Sequence, residues 1–332
     1  MAATITSLAH YLPPDVYPNS YFEKYLDTND EWIRTRSGIS ERRFAKEGAT
    51  SDLIVPAALE CIAKRGIDKN EIDTIIVATV TPDHMFPSTA AVVQHKLGIK
   101  NVWGFDISAA CSGFIFALST AVSLVNSGTS KKVLLCGADK MTSILNLHDR
   151  GQAILFGDGA GVCIVEKSDD DNYGLIDQIL HIDGEGGKYL YQTAGGSFKP
   201  ASIETVQNNE HYIHQDGQPV FKAAVIGMAD VTAEILQKNN LTADDIAWLV
   251  PHQANLRIIS ATADRIKLPM DKVMVNINKF GNTTAGTIPI CLSEWEQNGK
   301  LHKGDNLILA SFGAGFTWGA IYMKWNMNKG SN

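Results

Sequence analysis

The 332-residue chain has no apolar run of the ~18 residues that a membrane-spanning helix needs, and no basic run dominates any segment. Its net charge of −7 disfavours a general nucleic-acid-binding protein, because such proteins neutralise phosphates with clustered lysines and arginines. The first residues also lack a basic stretch followed by the apolar stretch of a secretory signal. We therefore expect a cytoplasmic enzyme with neither nucleic acid nor a membrane as partner.

Cysteine is scarce, with five residues at scattered spacings. This count disfavours a disulfide-rich secreted scaffold and is typical of a reducing compartment. His211 and His214 have metal-like spacing, but no third ligand cluster accompanies them, so a solvated loop is favoured over a zinc site. The glycine run FGDGAG precedes a strand pattern rather than a helix, so it is no dinucleotide fingerprint. We expect no metal and no resident cofactor.

The two halves of the chain resemble each other. Residues 57–79 (AALECIAKRGIDKNEIDTIIVAT) and 231–253 (VTAEILQKNNLTADDIAWLVPHQ) share one pattern at an offset of 174. Residues 102–128 align with 273–299 at an offset of 171, and the strand around Val133 aligns with that around Leu307 at 174. Three blocks in one order indicate a duplication.

Each half reads helix, strand, strand, helix, strand, which predicts an α/β fold. We place the halves at residues 1–170 and 171–332, with an inserted, polar and glycine-rich loop region at about 171–218. The helix at 112–126 has no charged face, and its counterpart in the second half is apolar too. Two helices buried between two sheets would give a duplicated five-layer α/β/α/β/α body.

Cys111 lies in DISAACSG, where an apolar strand pattern changes into an apolar helix pattern. A thiol at a helix N-terminus is exposed to the positive end of the helix dipole, which lowers its pKa. The small neighbours Ala109, Ala110, Ser112 and Gly113 leave room for a substrate. The pattern favours a nucleophile, although a packed core cysteine remains an alternative.

Two further residues could complete such a site. His252 directly follows a buried strand, and residues at such ends line the crevices of α/β folds, although a structural histidine is equally consistent. The offset of 171 pairs Cys111 with Asn282 at a second strand-to-helix turn. Gly313 to Gly315 form a tight turn whose backbone amides could bind an oxyanion, or an ordinary hairpin.

Six motifs in order carry a family resemblance: NDEWIRTRSGISERR, DISAACSGF, DRGQAILFGDGAG, VPHQANLRI, GNTTAG and SFGAGFTWG. The chain resembles the β-ketoacyl-acyl carrier protein synthase III family of the thiolase superfamily. The resemblance implies a thiolase-like fold and a decarboxylative condensation of an acyl-CoA primer, such as acetyl-CoA, with malonyl-acyl carrier protein. It implies that this reaction initiates fatty acid biosynthesis.

The resemblance also implies roles for residues of the site. Cys111 would carry the acyl group, while His252 and Asn282 would stabilise the enolate formed on decarboxylation. The backbone amides of Cys111 and Ala314 would form the oxyanion hole. The family usually has glycine at position 314, and alanine should be tolerated if the turn needs no positive φ there.

Surface residues acquire roles by the same resemblance. The predicted CoA-binding residues are Trp32, Arg36, Arg150 and Asn255. Arg257 matches a residue that docks acyl carrier protein, and Lys222, Arg265 and Lys267 could extend its positive patch. Phe86 matches an aromatic residue that reaches the acyl pocket of a partner subunit, which implies a homodimer.

Three alternatives stay open on the sequence. A condensing enzyme or acyltransferase of secondary metabolism would share most of these motifs. A non-catalytic acyl-CoA-binding protein with the same fold is disfavoured by the intact Cys111, His252 and Asn282. A cysteine hydrolase also uses these three residue types, but the duplication and the CoA-binding residues disfavour it.

Overall fold

The computed structural model describes residues 3–327, in which nine strands build two large sheets and four short strands pair in twos. In chain order the strands are β1 (Ala3–Tyr11), β2 (Val16–Pro18), β3 (Glu41–Arg43), β4 (Thr74–Ala78), β5 (Trp103–Ile107), β6 (Lys132–Asp139), β7 (Gly159–Lys167), β8 (Gly174–Ile182), β9 (Leu190–Gln192), β10 (Ile213–Gln215), β11 (Trp248–Pro251), β12 (Asn306–Gly313) and β13 (Thr317–Lys324).

The two large sheets have the same topology. The first has the order β1-β7-β6-β4-β5, and the second has the order β8-β13-β12-β11. In each sheet the first three strands are antiparallel neighbours and the next pairing is parallel. The second sheet has a single bridge, between Leu249 and Val273, where the first has β5.

Eleven α-helices connect the strands within the described range. They are α1 (Asn19–Phe22), α2 (Asp30–Ser37), α3 (Thr50–Arg65), α4 (Thr89–Leu97), α5 (Gly113–Asn126), α6 (Arg150–Ala153), α7 (Ile203–Gln207), α8 (Gly217–Lys238), α9 (Leu256–Arg265), α10 (Ile277–Phe280) and α11 (Thr287–Gln297). Across residues 3–327 no helix combines the length and the apolar character needed to cross a bilayer.

Three apolar clusters separate the layers. Helices α3 and α4 pack on the outer face of the first sheet, and α8 and α9 pack on the outer face of the second. Helices α5 and α11 lie between the sheets, in a cluster that takes side chains from both. The chain therefore has the five predicted layers, and α5 is mostly buried because strands of both sheets pack against it.

The structural repeat has an offset of 174 in its central elements. It relates β4 to β11, β6 to β12, and the start of α5 to the start of α11. Helix α11 has 11 residues, three fewer than the 14 of α5. The residues that directly follow the two helices are therefore related by an offset of 171.

This repeat corrects the predicted partner of the candidate nucleophile. The 3₁₀ turn Ala110–Ser112 corresponds to Thr284–Gly286, and each opens with a non-glycine residue of left-handed φ, 48° and 53°. Cys111 therefore corresponds to Ala285. The predicted pairing of Cys111 with Asn282 is wrong by three residues, because the length difference lies inside the helix and not before it.

The polar stretch between the halves is shorter than predicted. Residues Gly174–Ile182 form β8, the edge strand of the second sheet, so they are not part of an inserted loop. The excursion from the sheet begins at Asp183 and returns at α8. Within it, β9 and β10 form a small antiparallel ladder.

Candidate active site

Cys111 lies in the turn between β5 and α5, and only 9% of its surface is exposed. Ser311 Oγ donates a hydrogen bond of 2.9 Å to the Cys111 carbonyl oxygen. Gly313 packs so closely that a Cβ atom there would lie 2.7 Å from the Cys111 nitrogen. Strand β12 of the second half therefore holds the cysteine of the first half.

The predicted low pKa of Cys111 is wrong. Burial raises the pKa of this thiol to about 12, and the negative charge of Asp139 adds to the rise. Hydrogen bonds from the Cys111 amide and from Asn282 to the sulfur oppose the rise without reversing it. Desolvation is the largest contribution, because the ionised sulfur would lose its hydration in this buried turn. The thiol is therefore neutral before substrate arrives.

Asp139 is fully buried at the end of β6 and organises the loops beneath the cysteine. Burial raises the pKa of its carboxyl to about 6. Its oxygens accept hydrogen bonds from Thr79 Oγ1 at 2.9 Å, Thr81 Oγ1 at 3.0 Å, the Val80 amide at 2.8 Å and the Ala285 amide at 3.2 Å. These bonds connect the ends of β4 and β6 to the turn that precedes α11.

The side chain of Asn282 is oriented by a local hydrogen bond. Its Oδ1 accepts from the Thr284 amide at 2.9 Å, which leaves Nδ2 to donate toward the Cys111 sulfur. Its backbone is bonded on both sides, to Leu155 and Gly157. Asn282 therefore presents a fixed, neutral donor to the thiol.

His252 directly follows β11, as predicted, and is 1% exposed. Its amide donates to the Ala310 carbonyl oxygen at 2.8 Å, and its Nδ1 lies 2.7 Å from Thr287 Oγ1. Burial lowers the pKa of the imidazole to about 3, so the ring is neutral at pH 7. The buried Nε2 has no hydrogen-bond partner within residues 3–327.

The three residues meet on one cavity of about 250 Å³. Its outer end is marked by the exposed Gly151 and Gly217. Its walls are mainly apolar and include Leu155, Phe156, Leu190, Val220, Phe221, Ala224, Ile258 and Phe312. This shape is a tunnel that leads from the surface to a thiol, an imidazole and an amide.

A second cavity of about 150 Å³ also has Cys111 in its lining. Its apolar walls are formed by Val80, Met141, Ile144, Phe156, Leu190 and Ile213. Ala314 lines it beside the cysteine. Cys111 therefore borders both the tunnel and a smaller apolar chamber.

The turn between β12 and β13 carries the predicted oxyanion donor. Gly315 takes the positive φ of this turn, 139°, whereas Ala314 is not among the non-glycine residues with positive φ in the described range. Thr317 Oγ1 lies 3.1 Å from the Ala314 carbonyl oxygen and 3.0 Å from that of Ala109. Alanine therefore fits the turn without backbone strain.

Comparison with known proteins identifies the family. A model of 3-Oxoacyl-[acyl-carrier-protein (ACP)] synthase III matches residues 105–184, and a model of its C-terminal part matches residues 236–325. The beta-ketoacyl-[acyl-carrier-protein] synthase III of Chlorobaculum tepidum is 56% identical over 98% of this chain and 100% of its own length. The chain belongs to the 3-oxoacyl-[acyl-carrier-protein] synthase III family.

Solved structures of synthase III proteins have the same fold. That of Aquifex aeolicus superposes with a TM-score of 0.90 at 40% identity, covering 97% of this chain and 100% of the other. A priming beta-ketosynthase from the R1128 polyketide biosynthetic pathway has a TM-score of 0.90 at 32% identity, with 99% and 97% covered. The predicted thiolase-like α/β fold and the predicted acyltransferase class are confirmed.

The structure brings three of the predicted CoA-binding residues of this synthase III chain together. The guanidinium of Arg150 lies 4.6 Å from the centre of the Trp32 ring, and that of Arg36 lies 5.9 Å from it. Arg150 also donates to the Asp27 carbonyl oxygen at 2.6 Å. Both guanidinium groups therefore lie over the indole, and that of Arg150 is the nearer.

Asn255 lines the tunnel and also has structural bonds. Its Oδ1 accepts from the Arg257 amide at 2.9 Å at the start of α9, and its Nδ2 donates to the Arg36 carbonyl oxygen at 2.9 Å. These contacts link α2 to α9. Asn255 therefore positions the Trp32 helix against the tunnel mouth.

The predicted carrier-protein residues lie on or just beyond the neighbouring helices α8 and α9. Lys222, Arg257, Arg265 and Lys267 are all exposed. The Arg257 guanidinium lies 4.7 Å from the centre of the Phe221 ring at the tunnel, whereas Arg265 bonds Asp230 at 3.0 Å. Arg257 is nearest the tunnel, and the charge of Arg265 is partly neutralised.

Phe86 is 87% exposed and lines neither cavity of its own chain. Its role at a partner subunit stays a prediction.

Sequence patterns did not indicate several residues of the synthase III site. The apolar chamber uses β9, β10 and the segment around Met141, which meet only in the tertiary structure. Thr287, which contacts His252, reads as an ordinary first residue of a helix. The feature that could identify Thr287 as a site residue is its position two residues after Ala285, the structural counterpart of Cys111.

We expect Gly313→Ala to lower the free energy of unfolding by about 1–3 kcal/mol and to slow thioester formation on Cys111, because the new methyl overpacks against that residue. Urea unfolding and the acylation rate measure the two effects. Gly184→Ala is the matched control, since a Cβ there meets no atom within 4 Å. Equal effects of the two substitutions would contradict this explanation.

Proposed function

We propose that this chain condenses an acyl-CoA primer with malonyl-acyl carrier protein to give 3-ketoacyl-acyl carrier protein, CoA and CO₂. The reaction would initiate fatty acid biosynthesis. The observation that carries the proposal is the meeting of Cys111, His252 and Asn282 at the inner end of one tunnel. The acyl-CoA is a substrate, and the proposed reaction uses no resident cofactor.

The first half-reaction is the transfer of the acyl group to Cys111. The sulfur attacks the thioester carbonyl, and CoA leaves after a tetrahedral intermediate. The amides of Cys111 and Ala314 are proposed as the oxyanion hole. One well-placed donor of this kind is worth roughly 3 kcal/mol in the transition state.

The second half-reaction begins when malonyl-acyl carrier protein replaces CoA in the tunnel. Loss of CO₂ leaves an enolate, and its carbon attacks the acyl group on Cys111. Asn282 Nδ2 is proposed to donate to the enolate oxygen, and His252 Nε2 is proposed to do so when it carries a proton. Both side chains are buried, so their hydrogen bonds act in a low dielectric.

The apolar chamber beside Cys111 is proposed to hold the primer's acyl chain. Its volume of about 150 Å³ is well above the ~10–15 Å³ that a cavity needs to hold one water molecule. A short primer such as acetyl or another acyl group of a few carbons fits this space. Each buried methylene would contribute ~0.8 kcal/mol to binding until the chamber is full.

The adenine of CoA is proposed to bind at Trp32, with Arg36 and Arg150 contacting the ring or the phosphates and Asn255 near the pantetheine arm.

We expect Trp32→Ala to raise the KM for acyl-CoA about 10-fold while leaving turnover nearly unchanged, because the adenine contact is remote from the sulfur. Steady-state kinetics measure the effect. The control substrate is an acyl-N-acetylcysteamine thioester, which lacks adenine, and an equal loss with it would contradict the assignment.

Acyl carrier protein is proposed to dock on the exposed basic residues of α8 and α9, of which Arg257 is nearest the tunnel. Lys222, Arg265 and Lys267 would extend this surface. An acidic partner is attracted by such a patch, and screening by salt should weaken the attraction.

We also propose a cytoplasmic homodimer. All five cysteines are free and buried, which suits a reducing compartment. Strand β5 is an edge strand, its Trp103 is 45% exposed, and Phe86 is exposed as well. Sedimentation should give twice the 36.1 kDa chain mass, and Trp103→Glu should yield monomers, whereas Trp248→Phe, at a core position, should leave the dimer intact.

A condensing enzyme of secondary metabolism is the second candidate function, and the similarity to the R1128 priming ketosynthase favours considering it. The test is intact-protein mass spectrometry with a panel of acyl-CoAs, followed by addition of malonyl-acyl carrier protein. Acylation of Cys111 and appearance of a 3-ketoacyl carrier protein support the proposal. Acylation followed by transfer to a different acceptor would favour the second candidate, and loss only to water would favour a hydrolase.

A further inference from the structure

Thr287 is the first residue of α11, and its single hydroxyl has two neighbours. The hydroxyl oxygen lies 2.7 Å from His252 Nδ1 and 3.1 Å from the Thr284 carbonyl oxygen. Both Thr287 and His252 are nearly inaccessible to solvent, with 2% and 1% exposed. No water competes readily for these groups, so the proton of the hydroxyl has two possible acceptors.

The two contacts together select one arrangement. A carbonyl oxygen can only accept, so Thr287 satisfies both contacts by donating to Thr284 and accepting from His252 Nδ1–H. The ring proton is thereby assigned from the hydrogen-bond network. A neutral imidazole has one N–H, so Nε2 then carries a lone pair, and this atom is the one without a partner.

We infer that Thr287 is a positioning residue that fixes the ring proton of His252 on Nδ1 and thereby leaves the Nε2 lone pair free in the cavity that Cys111 also lines. The inference rests on the proposed function, since it assigns a proton acceptor to the acylation of Cys111. It also changes the expected role of His252, which the family resemblance describes only as a donor to the enolate.

In the first half-reaction the Cys111 proton moves to Nε2 as the sulfur bonds to the thioester carbonyl carbon. The positive imidazolium and the negative oxyanion form together, so each offsets the cost of burying the other. Collapse of the tetrahedral intermediate breaks the bond to the CoA sulfur, which leaves with the proton from Nε2. His252 returns to its starting state with Nδ1–H still bonded to Thr287.

The hydrogen bond from His252 Nδ1–H to Thr287 also serves the condensation. The overall reaction consumes one proton. The negative malonyl carboxylate offsets the cost of a buried positive charge, so uptake of that proton at Nε2 gives an imidazolium that donates from both nitrogens. Nδ1–H stays on Thr287, and Nε2–H donates to the enolate oxygen beside Asn282. After the carbon–carbon bond forms, the Cys111 thiolate leaves the tetrahedral carbon and takes the proton from Nε2. An acceptor at Nδ1 suits both protonation states, whereas a donor there would oppose the imidazolium.

The decisive measurement is the position of the ring proton in the substrate-free enzyme. Nitrogen NMR on ¹⁵N-histidine-labelled protein distinguishes a protonated ring nitrogen from a bare one, and the signals lost in His252→Gln assign His252. We expect the proton on Nδ1 at pH 7. A proton on Nε2 in the wild type would overturn the inference, and because no substrate is present, it would leave the proposed function untouched.

Two variants of Thr287 test its part. Thr287→Val keeps the branched shape but leaves Nδ1–H without an acceptor, so the ring should shift toward the Nε2–H form. The acylation rate should then fall roughly 10- to 100-fold at an unchanged KM for acyl-CoA, which is part of the 10²–10⁴ that a general base supplies. Thr287→Ser should restore the rate to within about threefold. An unchanged tautomer in Thr287→Val, or no rescue by serine, would contradict the role.

Discussion

Cys111→Ala will take up no acyl group and will lose condensation by at least about 10⁴-fold, because nucleophilic catalysis has no substitute for the sulfur. The substitution removes a single atom in a site where the backbone is held by Ser311 and Gly313, so the fold should persist. Intact-protein mass spectrometry after incubation with acyl-CoA measures acyl uptake, and carrier-protein mass measures condensation.

The matched control for this experiment is Cys61→Ala. Cys61 is also a buried, free cysteine, but it lies on α3 in the outer layer. It should keep full acyl uptake, with the added mass on Cys111. Acyl uptake by Cys111→Ala equal to that of the wild type would show that another group is the nucleophile and would end the assignment.

Asn282→Asp should reduce condensation by roughly 10²–10³-fold or more, while urea unfolding changes little. The new carboxylate keeps the oxygen that accepts from the Thr284 amide, so the local structure is preserved. It replaces the Nδ2 donor by a second oxygen that faces the Cys111 sulfur. Loss of one oxyanion donor alone costs roughly 10²–10³-fold, and repulsion of the enolate adds to this.

The two half-reactions should respond unequally to Asn282→Asp. Acylation keeps its proposed backbone oxyanion hole, so the acyl-enzyme should still form, whereas decarboxylation of the malonyl group should fail. Asn240→Asp carries the same charge change at an exposed position after α8 and should leave the rates of both half-reactions unchanged. Unimpaired condensation in Asn282→Asp would remove Asn282 from the mechanism.

Much of the fold follows from local patterns in the sequence. The repeated helix and strand patterns predict the two halves, and the uncharged stretch after Cys111 predicts a helix buried between sheets. The position of His252 after a buried strand predicts its place at a sheet end. These features depend on periodicity and polarity, which are local properties of the chain.

Other parts of the site depend on lengths and on distant contacts. The register of Asn282 was misjudged because the three-residue difference lies inside α11, where sequence matching cannot locate it. The pKa of Cys111 was misjudged because helix position is visible in sequence and depth of burial is not. The apolar chamber is not visible in local sequence patterns, because β9 and β10 reach Cys111 from a segment more than 70 residues later.

Strand β12 has a mechanical consequence for the reacting pair. Its consecutive residues Ala310 and Ser311 hold His252 and Cys111, the first through a carbonyl oxygen and the second through a hydroxyl. A small shift of β12 would therefore move the backbones of His252 and Cys111 in the same direction. The two residues share one strand as their support, so we expect their separation to change less than if each were bonded to a different strand.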